Sequence, residues 1–196
     1  MFLEDGQGTG RLAHVDGSNR TVTRAEMITM REVSSILGNA SYFFSSGVVT
    51  LTTGGESGVL YVKNLNPNQV LVVTNLSVFL GISTGAPGLN VTMRAYANPT
   101  SGTLLTGGTS VSAGNSNFGS TVPAQATVIV GAEGLGVVAA APPVSFIIRD
   151  NFFNDFGIAA TLPVGTAAAL TIDPAAGNTS MLVTVTVAGF YITNDF

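Results

Sequence analysis

The sequence predicts an all-β protein, a β-sandwich or jelly-roll-like domain that follows an extended N-terminal arm. From about residue 41 onward the chain is a series of short segments rich in Val, Ile, Thr and aromatic residues, separated by clusters of Gly, Asn, Pro and Ser. No segment with helical periodicity lies between these segments, so a parallel α/β sheet is not expected. A chain of 196 residues fits one such domain without division.

Eight segments are the clearest predicted strands. The segment 183–187 alternates Val and Thr with a period of two, which is typical of a strand with one buried face. Segments 53–56 and 64–68 look like turns, and segment 98–125 is the longest predicted loop. The predicted strands are 48–52, 59–62, 70–80, 91–97, 126–130, 144–148, 168–172 and 182–192.

Charged residues are scarce and unevenly distributed. They make up 9% of the chain, against about 25% in an average soluble domain. Such depletion resembles the centre of a protein–protein interface, so we expect a stable homo-oligomer, most simply a trimer. The uneven distribution divides the chain into an arm, 1–40, and a β body, 41–196, because most of the basic side chains lie in the arm.

The arm is the predicted partner-binding segment. A polar segment that carries charge while the body does not is suited to ordering against a partner surface, and its arginines can form bidentate pairs with carboxylates. Within it, segment 23–37 fits either a short helix, since Thr23 and Glu26 have capping-box spacing, or an extended chain. The four predicted contact residues are Arg11, Arg20, Arg24 and Arg31.

Composition excludes several classes of partner and cofactor. A net charge of −4 argues against nucleic acid, because neutralising phosphates requires a basic surface. No stretch supplies the 18 or more consecutive apolar residues of a membrane-spanning helix, and the N-terminus lacks the basic and apolar regions of a secretory signal. The absence of cysteine removes disulfides and thiolate metal sites. No cofactor is expected.

Catalytic chemistry finds little support in the sequence. The one histidine, His14, lies in the arm, where nothing promises the third group that orients a catalytic histidine. We expect a solvated side chain there, and no catalytic residue anywhere in the chain. Sugar binding also finds little support, because sugars usually stack on Trp or Tyr, and the chain has no Trp and four scattered Tyr.

One acidic cluster offers an alternative. Asp150 and Asp155, with Asn151 and Asn154 between them, present the oxygen ligands that Ca²⁺ prefers or a carboxylate pair for glycoside hydrolysis. Their spacing matches no EF-hand. We therefore interpret 150–155 as a turn built by Asp and Asn side chains, with neighbouring phenylalanines covering the core or another subunit, and predict no metal site.

Short motifs from the arm to the last strand resemble a group of tailed-phage and prophage structural proteins. They are Glu4-Asp5-Gly6-x-Gly8-x-Gly10, Val15, Asn19-Arg20, Asn98-Pro99-Thr100-Ser101-Gly102-Thr103 and Asp173-Pro174, followed by Gly177-Asn178-Thr179-Ser180-Met181. These are turn and arm motifs without chemistry, so the resemblance supplies no catalytic residues.

The resemblance implies a virion protein that is made in the host cytoplasm. The preferred role is a head decoration (cement) protein, a trimer that binds the major capsid protein or another virion protein on the capsid surface. The alternative is a tail or head-fibre component that binds host surface glycans.

Overall fold

The computed structural model describes residues 2–4, 12–14, 40–52, 55–81, 90–149, 153–174 and 180–193, in part by their backbone alone. Two antiparallel sheets face each other across an apolar core, which confirms the predicted all-β sandwich. The described strands are β1 (Phe2–Glu4), β2 (Leu12–His14), β3 (Ser41–Ser45), β4 (Val49–Leu51), β5 (Ser57–Asn64), β6 (Gln69–Leu80), β7 (Asn90–Ala97), β8 (Thr109–Val111), β9 (Gly114–Asn115), β10 (Ala126–Val130), β11 (Val144–Arg149), β12 (Phe153–Leu162), β13 (Ala167–Asp173) and β14 (Met181–Thr193). One short helix, α1 (Thr103–Gly107), follows β7.

The two sheets of the sandwich share the strands almost equally. In sheet 1 the order is β11–β7–β13–β5–β10–β8, and in sheet 2 it is β12–β6–β14–β3–β9, with β4 also paired to β14. The arm strands β1 and β2 pair only with each other in the described part of the chain. Strands β11 and β12 are edge strands that follow one another in sequence, and they lie on the same side of the sandwich, where the rings of Phe146 and Phe156 contact each other.

Eight strands of the body pair in a nested pattern. Counted along the chain, the first pairs with the eighth (β3 with β14), the second with the seventh (β5 with β13), the third with the sixth (β6 with β12) and the fourth with the fifth (β7 with β11). Folding a long hairpin back on itself into two sheets produces this pattern. Strands β8, β9 and β10 belong to an insertion between β7 and β11.

The core follows from the alternation of side chains along the strands. In β14, Val183, Val185 and Val187 are buried, and the threonines between them are partly exposed, as the sequence predicted. Strand β5 is buried on both faces. Its inner face joins the main core, and Tyr61 on its outer face packs with Leu104 of α1 in a second, smaller cluster.

A β-bulge changes which residues of β6 face the core. Leu71 and Val73 are buried on one side of the bulge and Leu76, Val78 and Leu80 on the other, and the register with β14 shifts between Ala188 and Gly189. An added residue in one strand inverts the alternation in this way. Glycine is needed in the partner strand because a Cβ at Gly189 would lie 2.7 Å from the carbonyl oxygen of Val72.

The prediction of a loop over 98–125 is wrong in part, because this segment contains α1, β8 and β9. Its first residue, Asn98, has a φ of 46°, a conformation that Asn tolerates better than most residues. The Asn98 side chain accepts a hydrogen bond from the amide of Ala167 at 2.9 Å. The side chain of Leu104 is buried against sheet 1, and this contact holds α1 in place. The helix was not predicted because five residues are too few to show helical periodicity.

All eight predicted strands are present, with ends that differ by one to two residues in most cases. Strands β1, β2, β3, β8, β9 and β12 were not predicted. The interpretation of 150–155 as one turn is wrong, since β12 begins at Phe153 and its pairing with β6 includes Asp155. The alternatives for 23–37 lie outside the described residues.

Close contact between two glycines generates a stability prediction. A Cβ at Gly131 would overlap the carbonyl oxygen of Gly58, a backbone atom, whereas a Cβ at Gly157 would meet nothing within 4 Å. We expect Gly131→Ala to lower the free energy of unfolding by about 1–3 kcal/mol or more, because overpacking usually costs this much. The control, Gly157→Ala, should change it by less than about 1 kcal/mol. Urea denaturation measures both, and equal losses would contradict this packing.

Candidate functional site

The sequence-predicted partner-binding residues cannot be placed by this structure. Arg11, Arg20, Arg24 and Arg31 lie outside the described residues. The structure describes the backbone of His14, which is the last residue of strand β2. The arm contact therefore stays a prediction.

Of the predicted acidic pair, Asp150 lies outside the described residues and Asp155 lies on β12. One oxygen of the Asp155 carboxylate accepts hydrogen bonds from the amide of Asn75 at 2.7 Å and the hydroxyl of Ser77 at 2.8 Å. Both donors lie on β6, so the contacts join neighbouring strands of sheet 2. Across the described part of the chain, no group of three His, Asp or Glu side chains could hold a metal ion.

The outer face of sheet 1 carries a compact ionic cluster. One nitrogen of the Arg94 guanidinium lies 2.8 Å from the Glu56 carboxylate and 3.0 Å from that of Asp173. Glu56 also accepts hydrogen bonds from the hydroxyls of Tyr96 at 2.7 Å and Thr171 at 2.5 Å. Both oxygens of Glu56 are thereby paired, and the network ties the segment before β5 to strands β7 and β13. This arrangement indicates that the cluster stabilises the fold by joining these segments.

A different surface is formed by three connecting segments at one end of the sandwich, which we call the loop end. Leu65 donates its backbone N–H to the carbonyl of Gln125 at 2.9 Å, and Gly165 donates its N–H to the carbonyl of Asn64 at 2.9 Å. These bonds hold together segments that are distant in sequence. The loop end comprises residues 65–68, 112–125 and 163–166.

Apolar side chains are exposed across the loop end. Phe118 is 95% exposed, Leu65 50%, Val122 46% and Val164 43%. None of the three segments contains Asp, Glu, Lys or Arg. An exposed aromatic side chain on a surface without charge matches the centre of a protein–protein interface, where aromatic residues are enriched and charged residues are depleted.

The most exposed of these side chains, Phe118, lies between two turns stabilised by asparagine side chains. The carboxamide oxygen of Asn115 accepts the backbone N–H of Asn117 at 2.9 Å, and that of Asn117 accepts the N–H of Gly119 at 3.2 Å. Such turns replace backbone hydrogen bonds with side-chain ones. They hold the backbone on both sides of Phe118 while its ring points away from the protein.

Two buried tyrosines attach the loop end to the core. The hydroxyl of Tyr191 donates to the carbonyl of Gln125 at 2.9 Å, and that of Tyr42 donates to the carbonyl of Pro123 at 3.3 Å. Their rings contact each other edge to face, with centroids 5.6 Å apart. Segment 112–125 is therefore fixed to the sandwich, which favours a preformed contact surface over a loose loop.

The tyrosines are poorly placed for stacking sugars. Tyr42, Tyr61 and Tyr191 are at most 6% exposed, and Tyr96 is half-buried with its hydroxyl on Glu56. Flat, accessible aromatic faces are what a sugar requires, and the tyrosines do not provide them. No helix in the described part of the chain is both long and apolar enough to cross a membrane.

Comparison with known proteins gives no family assignment: no family model matches the chain, and none of the curated proteins matches it.

The tyrosine environments generate a prediction about alkaline pH. Burial raises the pKa of Tyr42, Tyr61 and Tyr191 above the usual value near 10. Burial and the hydrogen bond to Glu56 raise the pKa of Tyr96 to about 12. The unfolded chain binds fewer protons than the folded one above pH 10, so this contribution to stability is complete below pH 10 and is lost as the pH rises towards 12.

Phenolate absorbance measured against pH tests this prediction. The urea-unfolded chain should ionise its tyrosines near pH 10, and the folded protein should form less phenolate at the same pH. Equal phenolate formation by the folded and the unfolded protein near pH 10 would contradict the described environments.

Proposed function

We propose that this protein is a non-enzymatic virion component of a tailed phage, a head decoration protein that assembles as a homo-oligomer on the outside of the capsid. The loop end is the observation that carries the proposal: a fixed, charge-free surface with exposed apolar side chains. The sequence motifs that resemble phage structural proteins support the same role. A trimer seated on the major capsid protein is the preferred form.

The mechanism of such a protein is multivalent attachment. Each subunit contributes a modest contact, and linking several subunits raises the overall avidity without any new chemistry. In this proposal the loop end supplies apolar contacts. The arginines of the arm, Arg11, Arg20, Arg24 and Arg31, supply ion pairs with carboxylates of the capsid or a neighbouring subunit. Subunits that bridge neighbouring capsomers would then stabilise the contacts between them.

A tail or head-fibre component that binds host glycans is the alternative role. Burial of the tyrosines gives that role no support, and the ionic cluster around Glu56 is already paired. The decoration role is therefore preferred.

Replacement of Phe118 tests the proposed role of the loop end. At 95% exposure the ring is not part of the core, so Phe118→Ala should leave the melting temperature unchanged. A buried aromatic anchor typically contributes enough binding energy that its loss weakens association at least about tenfold. Light scattering over micromolar concentrations measures self-association, and co-sedimentation with phage heads measures attachment. We expect self-association, attachment to phage heads, or both to weaken at least about tenfold in the variant.

Phe79→Ala is the matched control. Phe79 is 46% exposed on β6, outside the loop end, and its replacement should change neither measurement by more than about twofold. Equal effects of the two variants would show that the loop end has no special role. A wild-type monomer that does not bind phage heads would overturn the proposed function itself.

A further inference from the structure

The interior of the sandwich contains a cavity of ≈ 350 Å³ between the two sheets. Protein interiors are normally close-packed, with few voids larger than a water molecule. Cavities that bind small molecules usually begin at about 300 Å³. The described lining consists only of Leu, Val, Ala and Phe side chains, among them Leu60, Val73, Phe146, Ala160, Ala168 and Val187.

The lining residues indicate that the cavity is elongated across the sheets. In sheet 1 they come from four adjacent strands, β5, β13, β7 and β11, and each strand contributes one residue or two residues at alternate positions. Strands lie about 4.8 Å apart, so the cavity extends roughly 14 Å across the sheet. A volume of ≈ 350 Å³ over that length leaves a mean cross-section of about 25 Å². This shape accommodates a single chain of methylene groups.

The cavity opens between the edge strands. Val144 of β11 and Ala160 of β12 both line it and are both exposed, Val144 by 61%. At the other end it terminates under β5 and β14, which are interior strands of their sheets. One end of a bound chain can therefore remain in water while the rest is surrounded by hydrocarbon.

We propose that this cavity is a binding site for one unbranched, uncharged aliphatic chain, with its polar end at the opening between β11 and β12. The described lining offers no hydrogen-bond partner among its side chains, so a polar group carried to the inner end would lose its hydration without compensation. That inner end has the apolar lining of cavities that bind hydrocarbons. The proposal goes beyond the assembly role and does not depend on it.

Primary alcohols of increasing length provide the test, by calorimetric titration of the full chain. From 1-hexanol to 1-octanol each added methylene should tighten binding roughly fourfold, the effect of burying one such group. The heat capacity of binding should be negative, as expected when apolar surface is buried. By contrast, 1,8-octanediol should bind at least about tenfold more weakly than 1-octanol, because its second hydroxyl would be buried without a partner.

Variants assign the binding to the cavity. Ala168→Leu adds three carbon atoms to the cavity and should weaken 1-octanol binding at least about tenfold, while an unchanged or raised melting temperature shows that the variant folds. Ala132→Leu places the same side chain at an exposed position outside the cavity and should bind as the wild type does. No binding of any alcohol to the wild type, equal binding of octanol and octanediol, or equal binding by both variants would overturn the proposal.

Discussion

The nested pairing of the strands is the constraint on which the rest of the structure depends. Strand β14 lies between β6 and β3, so the last strand of the chain occupies the middle of sheet 2. Each pair joins segments far apart in sequence, which means that neither sheet can be completed locally. The same nesting brings segments 65–68 and 163–166 to one end of the sandwich, and the pairing of β9 with β3 and of β10 with β5 places segment 112–125 beside them. The candidate interaction surface is thus a consequence of topology.

The sequence predicted most of the strands, but it did not predict the loop end. Strands with repeated Val, Ile and Thr, such as β14, were found because their side chains alternate with the strand period. Strand β12 was missed because Asn154, Asp155 and Gly157 make its sequence look like a turn. Pairing with β6 overrides that local preference, since the Asp155 carboxylate finds partners there. The loop end could not be predicted, because no single segment of it is unusual until the fold brings all three together.

Two apolar features of the protein differ in the kind of occupant that fits them. At about 24 cal/mol per Å³, an empty cavity of ≈ 350 Å³ would cost on the order of 8 kcal/mol. That is comparable to the whole stability of an ordinary domain, about 5–15 kcal/mol. Opening to solvent reduces this cost without removing it. The exposed side chains of the loop end instead lie on the outside of the sandwich in uncharged segments, and the proposed assembly would cover them with another protein surface.

A reconstruction of the phage particle to which we propose that this protein belongs tests the central claim most directly. The account predicts density for the β body on the outside of the head, at positions related by threefold symmetry. The loop end, with Phe118 at its tip, should be covered by the capsid or a neighbouring subunit. Density at the tail, a loop end that faces solvent in every copy, or a particle without this protein would contradict the account.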